Sequence, residues 1–263
     1  MATIVPQKTD FDIAVQYNKQ LNRCILIAAI FSVISVALSF SPLYSCLEGW
    51  ITVLSAILIF AVLFLQIRFR SAYRKAESVR RDSLVDICFG TVIAEVQAEG
   101  YYDNSNVDIG CQKLLAAVHE SCSLSLDIIN QMLNKLEYTT IVGCIIVIIA
   151  GAVSSIRSAL FLAILNGFLA LNYINDYSEL RFLKTELQTV CDNCKHVCED
   201  FSETQRKTFS PKQQAHVIRE CIRYETALSY ASMMLDEQIY IQLNPEHEKK
   251  WEALKQRYYT TSR

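Results

Sequence analysis

The chain has 263 residues, of which 52% are hydrophobic and 20% charged, with a formal net charge of −2 and a mean hydropathy of +0.21. A water-soluble domain reaches that hydropathy only with an unusually large core, so an ordinary soluble fold is disfavoured and membrane spans are sought first. The near-zero net charge hides an uneven distribution, with basic residues gathered beside the apolar stretches and acidic ones farther along.

The first 23 residues contain Asp10 and Asp12 among the amphipathic positions Phe11, Ile13, Val15 and Tyr17. This segment is too long and too mixed for the n-region of a cleaved signal peptide, so residues 1–23 are expected to be a cytoplasmic N-terminal segment. Cys24–Phe40 and Trp50–Ile67 follow, without a single Asp, Glu, Lys or Arg, and pair as a first transmembrane hairpin over residues 24–67. Thr139–Ile156 and Ser158–Ile174 form a second charge-free pair, expected as a hairpin over residues 139–174. At 17 or 18 residues each, the spans are short and leave little slack for tilt. Lys19, Arg23, Arg68, Arg70, Arg74, Lys75, Arg181 and Lys184 flank them, which places both termini in the cytoplasm. The outer loops carry only Glu48 and Arg157 as charges, too little for an extracellular domain.

Between the hairpins, residues 68–138 read as a cytoplasmic helical stalk and middle region. Arg68–Glu99 is expected to continue the second span as one helix, broken at Gly100–Asn106 and resumed over Val107–Glu137. In the C-terminal helical region, residues 175–263, Leu180, Leu183, Leu187, Val190, Cys194, Val197 and Phe201 recur at steps of three and four. That heptad seam predicts a helix packed lengthwise, within the subunit or around an oligomer axis. Ser210-Pro211 with Gln213 has the form of a capping box, and Asn244-Pro245 is expected to open a further helix. No strand alternation or hairpin dipeptide is present, so the fold class is all-α: an integral membrane protein with two transmembrane hairpins and a cytoplasmic helical bundle.

Cys191, Cys194 and Cys198, with His196 among them, have spacings that suit zinc or iron–sulfur ligation. Cys194 falls on the seam and the other two flank its face, so packed reduced thiols are preferred and no metal or cofactor is expected. No phosphate loop, His-Glu-x-x-His or Gly-x-Ser-x-Gly is present, and His119, His196, His216 and His247 are isolated, so no catalytic site is assigned. Arg74, Arg80 and Arg81 with Tyr73 admit two readings: topology-setting contact with anionic lipid, or phosphate recognition with Tyr73 as a stacking surface. A second basic and aromatic group lies at Arg206, Lys207, Lys212, Arg219, Arg223 and Tyr224, with Trp251, Lys255, Arg257, Tyr258 and Tyr259 at the end, and is expected as a solvated face more than a ligand site. Within the spans, Ser32, Ser35 and Ser39 lie near one face of the first, and Asn166 and Asn172 interrupt the fourth; these polar positions fit either helix packing or pore lining.

This plan resembles the pore-forming four-transmembrane effectors encoded beside nucleotidyltransferases in bacterial antiphage defence operons. The resemblance rests on the two-plus-two spans, the cytoplasmic middle and tail, and the segment Ala76-Glu77-Ser78-Val79-Arg80-Arg81-Asp82-Ser83-Leu84 with Phe89-Gly90. It implies a homo-oligomer, taken as a tetramer, in the bacterial inner membrane. The implied ligand is a nucleotide or short single-stranded DNA made by the partner nucleotidyltransferase, activating or restraining a pore that depolarises the membrane. A non-conducting, membrane-anchored scaffold is the alternative, and a small headgroup-level enzyme the third.

Overall fold

The computed structural model describes residues 6–38, 41, 44–96, 104, 107–153, 173–203, 208–231 and 234–259. Their regular structure is helical, in the order α1 (Lys8–Leu38), α2 (Tyr44–Phe89), α3 (Cys111–Val153), α4 (Tyr173–Glu203), α5 (Pro211–Ala231) and α6 (Glu237–Tyr258), with no strand among the described residues. The all-α expectation is met. Three helices are long and apolar enough to cross a membrane: Lys8–Val36, Leu47–Phe89 and Cys111–Ile149. Their apolar windows bury almost nothing within the chain; Phe60 of α2, for example, is 71% exposed. Surface of that kind is stable against lipid and costly against water. The expected fourth span, Ser158–Ile174, lies almost wholly outside the described residues, together with Asn166 and Asn172.

The chain divides into two compact units. An apolar unit comprises residues 11–73 and 134–178, and a helical unit comprises residues 1–10, 74–133 and 179–263. Both α2 and α3 contribute to each unit, and neither is interrupted where it passes from one to the other.

The helical unit is organised on α4. Leu180, Leu183, Leu187, Val190, Cys194 and Val197 are each at most 5% exposed, and the half-buried Phe201 packs edge-on against Phe209 at 4.5 Å. The seam is therefore used inside the chain. Leu115, Ile128 and Ile129 of α3 are equally buried, and the Cys122 thiol of α3 donates to the Leu187 carbonyl oxygen at 3.0 Å.

Three element boundaries differ from expectation, the first being the start of α3, at Cys111 and not at Val107. The stalk helix stops at Phe89 and does not reach Glu99, because Gly90 takes a left-handed φ of 67° and returns its N–H to the Asp86 carbonyl at 2.8 Å. The Asp86 carboxylate then accepts from the Thr91 hydroxyl and from the N–H groups of Ile93 and Ala94, which fixes the chain leaving the helix. Burial alone would raise the Asp86 carboxyl; these three donors together outweigh it and hold its pKa below the usual carboxylate range. Asn244-Pro245 does not open a helix either. α6 starts earlier, capped by Asp236, whose side chain accepts from the N–H groups of Gln238 and Ile239, and Pro245 sits inside it.

The capping box before α5 is present as expected. Gln213 N–H donates to the Ser210 hydroxyl at 3.3 Å, and Ser210 N–H donates back to the Gln213 side chain at 3.0 Å. Replacing Ser210 by Ala removes one of the reciprocal pair and is expected to lower unfolding stability by about 1 kcal/mol. Thermal unfolding followed by circular dichroism checks it; an unchanged midpoint would show that the box contributes nothing.

Candidate functional site

The four candidate phosphate ligands of α2 separate by burial. Tyr73 is only 4% exposed and packs against Phe11 and Phe69, each 6.0 Å away by ring centroid, so it offers no free stacking face. Arg74 is exposed and Arg81 half-exposed. Arg80 is 7% exposed and committed: its Nε and Nη2 donate to both carboxylate oxygens of Glu77, at 3.3 and 2.9 Å, and Nη2 also donates to Glu225 Oε2 of α5 at 2.5 Å. Tyr73 and Arg80 are thus buried and engaged inside the chain, while Arg74 and, in part, Arg81 reach the surface of the same helix. Arg80 is instead the centre of a buried ion cluster joining α2 to α5, with the Tyr224 ring 5.8 Å from its guanidinium.

Arg81 flanks that cluster. Its Nε donates to the Glu77 carbonyl at 3.2 Å and approaches Glu225 Oε2 at 3.8 Å. The second carboxylate oxygen of Glu225, Oε1, is buried without a hydrogen-bond partner. Burial pushes the Glu225 carboxyl above the usual range, and the nearby Arg80 and Arg81 only partly offset this.

Two basic side chains of α5, Arg219 and Arg223, are also engaged. Arg223 pairs with Glu186 of α4 at 2.7 Å, and Arg219 with the fully buried Glu220 at 2.7 Å, which in turn accepts from Asn193 Nδ2 of α4 at 3.0 Å. Tyr224 and Trp251 are buried, not solvated. Lys212, Arg219 and Arg257 are exposed, as a solvated face requires, while Arg206 and Lys207 lie outside the described residues.

The thiols converge on the core. Cys191 of α4 donates to Cys122 of α3 at 3.0 Å, and Cys194 and Cys198 are buried beside them. Burial raises Cys88 and Cys198 to about 12 and Cys221 to about 11, which makes them inert packed thiols at neutral pH. His196 turns outward, 76% exposed, and lies 3.6 Å from Glu199. Among the described residues no group of three His, Cys, Asp or Glu has the geometry to hold a metal ion.

A second polar core lies where α6 meets α3. The rings of His119, Trp251 and Tyr259 pack pairwise at 5.5–6.2 Å, and His119 Nδ1 lies 3.1 Å from the Tyr259 hydroxyl. One turn before Trp251, His247 is buried with both ring nitrogens lacking a hydrogen-bond partner; Asp127 Oδ2 is 3.7 Å from Nδ1, beyond hydrogen-bonding range. Burial pulls His119 down to about 4, with Lys195 adding in the same direction, and pulls His247 below its usual value against the opposing pull of Asp127. These histidines were isolated in the sequence, and only their neighbours in space give them a role.

In the apolar unit, Ser35 of α1 returns its hydroxyl to the Phe31 carbonyl at 2.8 Å and Ser55 of α2 does the same to Ile51. Such bonds satisfy the hydroxyls within their own helix and leave no polar demand on lipid. Ser32 is half-buried, and Ser39 lies outside the described residues. Comparison of the chain with protein-family models, with curated proteins and with solved structures finds no match.

Proposed function

We propose that the chain is a non-enzymatic, ligand-gated membrane effector. It would assemble as a homo-oligomer, a tetramer in our reading, in the bacterial inner membrane, with two transmembrane hairpins and both termini cytoplasmic. A nucleotide or short single-stranded DNA made by a partner nucleotidyltransferase, bound at the helical unit, would switch a pore that depolarises the membrane and arrests growth, as an arm of antiphage defence. The observation that carries the reading is α2. It is helical without interruption from Tyr44 to Phe89, apolar and lipid-facing in character up to Ile67, then cationic at Arg68, Arg70, Arg74 and Arg81, and finally embedded in the buried ion cluster. A rigid helix of this kind transmits a rearrangement along its length in a way that a hinged linker would not.

The exposed Arg74 and the half-exposed Arg81 are the candidate contacts for phosphate, with Arg80 supporting them from below. Phosphate recognition by several cations weakens steeply as salt rises. The test is membrane potential, followed with a voltage-sensitive dye in bacteria expressing the chain alone and together with the nucleotidyltransferase. Depolarisation by the chain alone, suppressed by the enzyme, identifies a restraining ligand; depolarisation only with both identifies an activating one. A normal potential under every condition, phage infection included, would sink the pore and leave a non-conducting scaffold. In the conducting case, replacing Arg74 and Arg81 together by Ala is expected to abolish the response to the enzyme while membrane insertion is unchanged.

A further inference from the structure

Two carboxylates, Glu77 and Glu225, meet at the one guanidinium of the buried Arg80. Buried charges are retained at low cost only when each is paired and its remaining lone pairs are satisfied. Glu77 meets that condition through its two-oxygen pairing with Arg80. Glu225 does not: one oxygen shares Arg80 and the other, Oε1, is buried with no partner. The groups facing Glu225 are Glu77, Arg80 and Arg81 from α2 and Cys221 from its own helix. Arg81 does not restore the balance, because its side chain is 43% exposed and its Nε, already donating to the Glu77 carbonyl, stays 3.8 Å away. Cys221 is a neutral thiol, and the Tyr224 ring lies against Arg80.

We propose that this joint is proton-controlled: a proton taken up on the Glu77–Glu225 acid pair, at the orphan oxygen of Glu225, tightens the docking of α5 on α2. The protonated carboxyl keeps its acceptor oxygen on Arg80, the uncompensated negative charge is gone, and the repulsion between the two acids disappears. The raised Glu225 carboxyl gives the sign. The folded state holds a proton that the unfolded chain has released, so the joint strengthens as pH falls through the raised folded value, and the gain is complete below the unfolded one. Above that window the ionised Glu225 weakens the joint. The inference concerns the helical unit alone and does not depend on pore formation.

Thermal unfolding of the full chain in detergent micelles, across pH 8 to 4, tests it with three forms: wild type, Glu225→Gln and Glu225→Asp. Comparing them at each pH cancels the contribution of every other titrating group. Glu225→Gln, a neutral shape-match, is expected to melt about 3 °C above wild type at pH 8, with the gap narrowing as the pH falls toward the unfolded glutamate value of ~4.3. Glu225→Asp, still titratable, is expected to keep a rise in midpoint on acidification that the Gln form lacks. A Gln form less stable than wild type at every pH, or a gap independent of pH, overturns the proposal, because a plain salt bridge or a packing role predicts one of those. Should the Gln form fail to fold, infrared difference spectra of the wild type between pH 8 and 5 decide: a protonated carboxyl band persisting above the ordinary glutamate range supports it, and its absence overturns it.

Discussion

Acidification from pH 6.5 to 4 is expected to remove roughly 3 kcal/mol from the stability of the helical unit through His119 alone. The histidine is 1% exposed, and burial pulls its pKa from 6.5 to about 4. A folded-state value below the unfolded one means that the unfolded chain binds the proton first. Stability is therefore intact above pH 6.5, is lost progressively as pH falls toward 4, and is not lost further below that. At 1.36 kcal/mol per pH unit the displacement amounts to the figure above, an appreciable share of the ~5–15 kcal/mol that holds a typical domain together. His247 shifts in the same direction, and it sits on the same helix as Trp251, so the element expected to detach first is α6. Trp251 is a built-in reporter, since its indole packs edge-on against His119 at a centroid distance of 5.5 Å. The measurement is the urea midpoint by tryptophan fluorescence in wild type and in His119→Asn, which does not titrate. A wild-type midpoint that falls no more steeply than that of the variant would show that His119 carries no such linkage.

What the sequence made legible is what depends on local pattern. The seam from Leu180 to Val197 is readable because every member falls on one helix face, and that face is the buried one. The Ser210–Gln213 box is readable because both partners lie within one turn. Charge-free stretches announce α1, α2 and α3 as apolar helices by composition alone. Two of the differing features are local signals that outcompete one another, and two depend on a distant partner. The Gly100 cluster resembles the end of α2, whereas a single glycine at position 90 suffices, aided by an Asp86 side chain that caps the departing turn. Pro245 resembles a helix start, but Asp236 supplies the cap nine residues earlier in a continuous helix. Arg80 resembles a surface cation because the acid that ties it to α5, Glu225, lies 145 positions along the chain. The isolated histidines were set aside for the same reason: His119 meets Tyr259 across 140 positions.

Truncating the seam gives the other large effect and decides how α4 is used. Leu187 is completely buried, and the Cys122 thiol of α3 bonds to its carbonyl oxygen. Leu187→Ala removes three buried carbons and leaves a void that the packed thiols around it cannot fill, since Cys122, Cys191 and Cys194 are already in close contact with α4 or belong to it. Large-to-small changes at such sites cost about 2–5 kcal/mol, the transfer term plus the cavity term. An interface seam would behave differently. Were α4 packed against α4 of a second subunit, truncation would leave each subunit folded, and the loss would vanish at high protein concentration by mass action. The seam is instead filled from within the chain, so the expected result is a lowered unfolding midpoint that is the same at two protein concentrations tenfold apart. Ile222→Ala serves as the contrast. Ile222 is 61% exposed on α5, and its removal is expected to change stability by no more than about 0.5 kcal/mol. Equal losses for the two variants, or a Leu187→Ala defect rescued by concentration, would move the seam to an interface between copies.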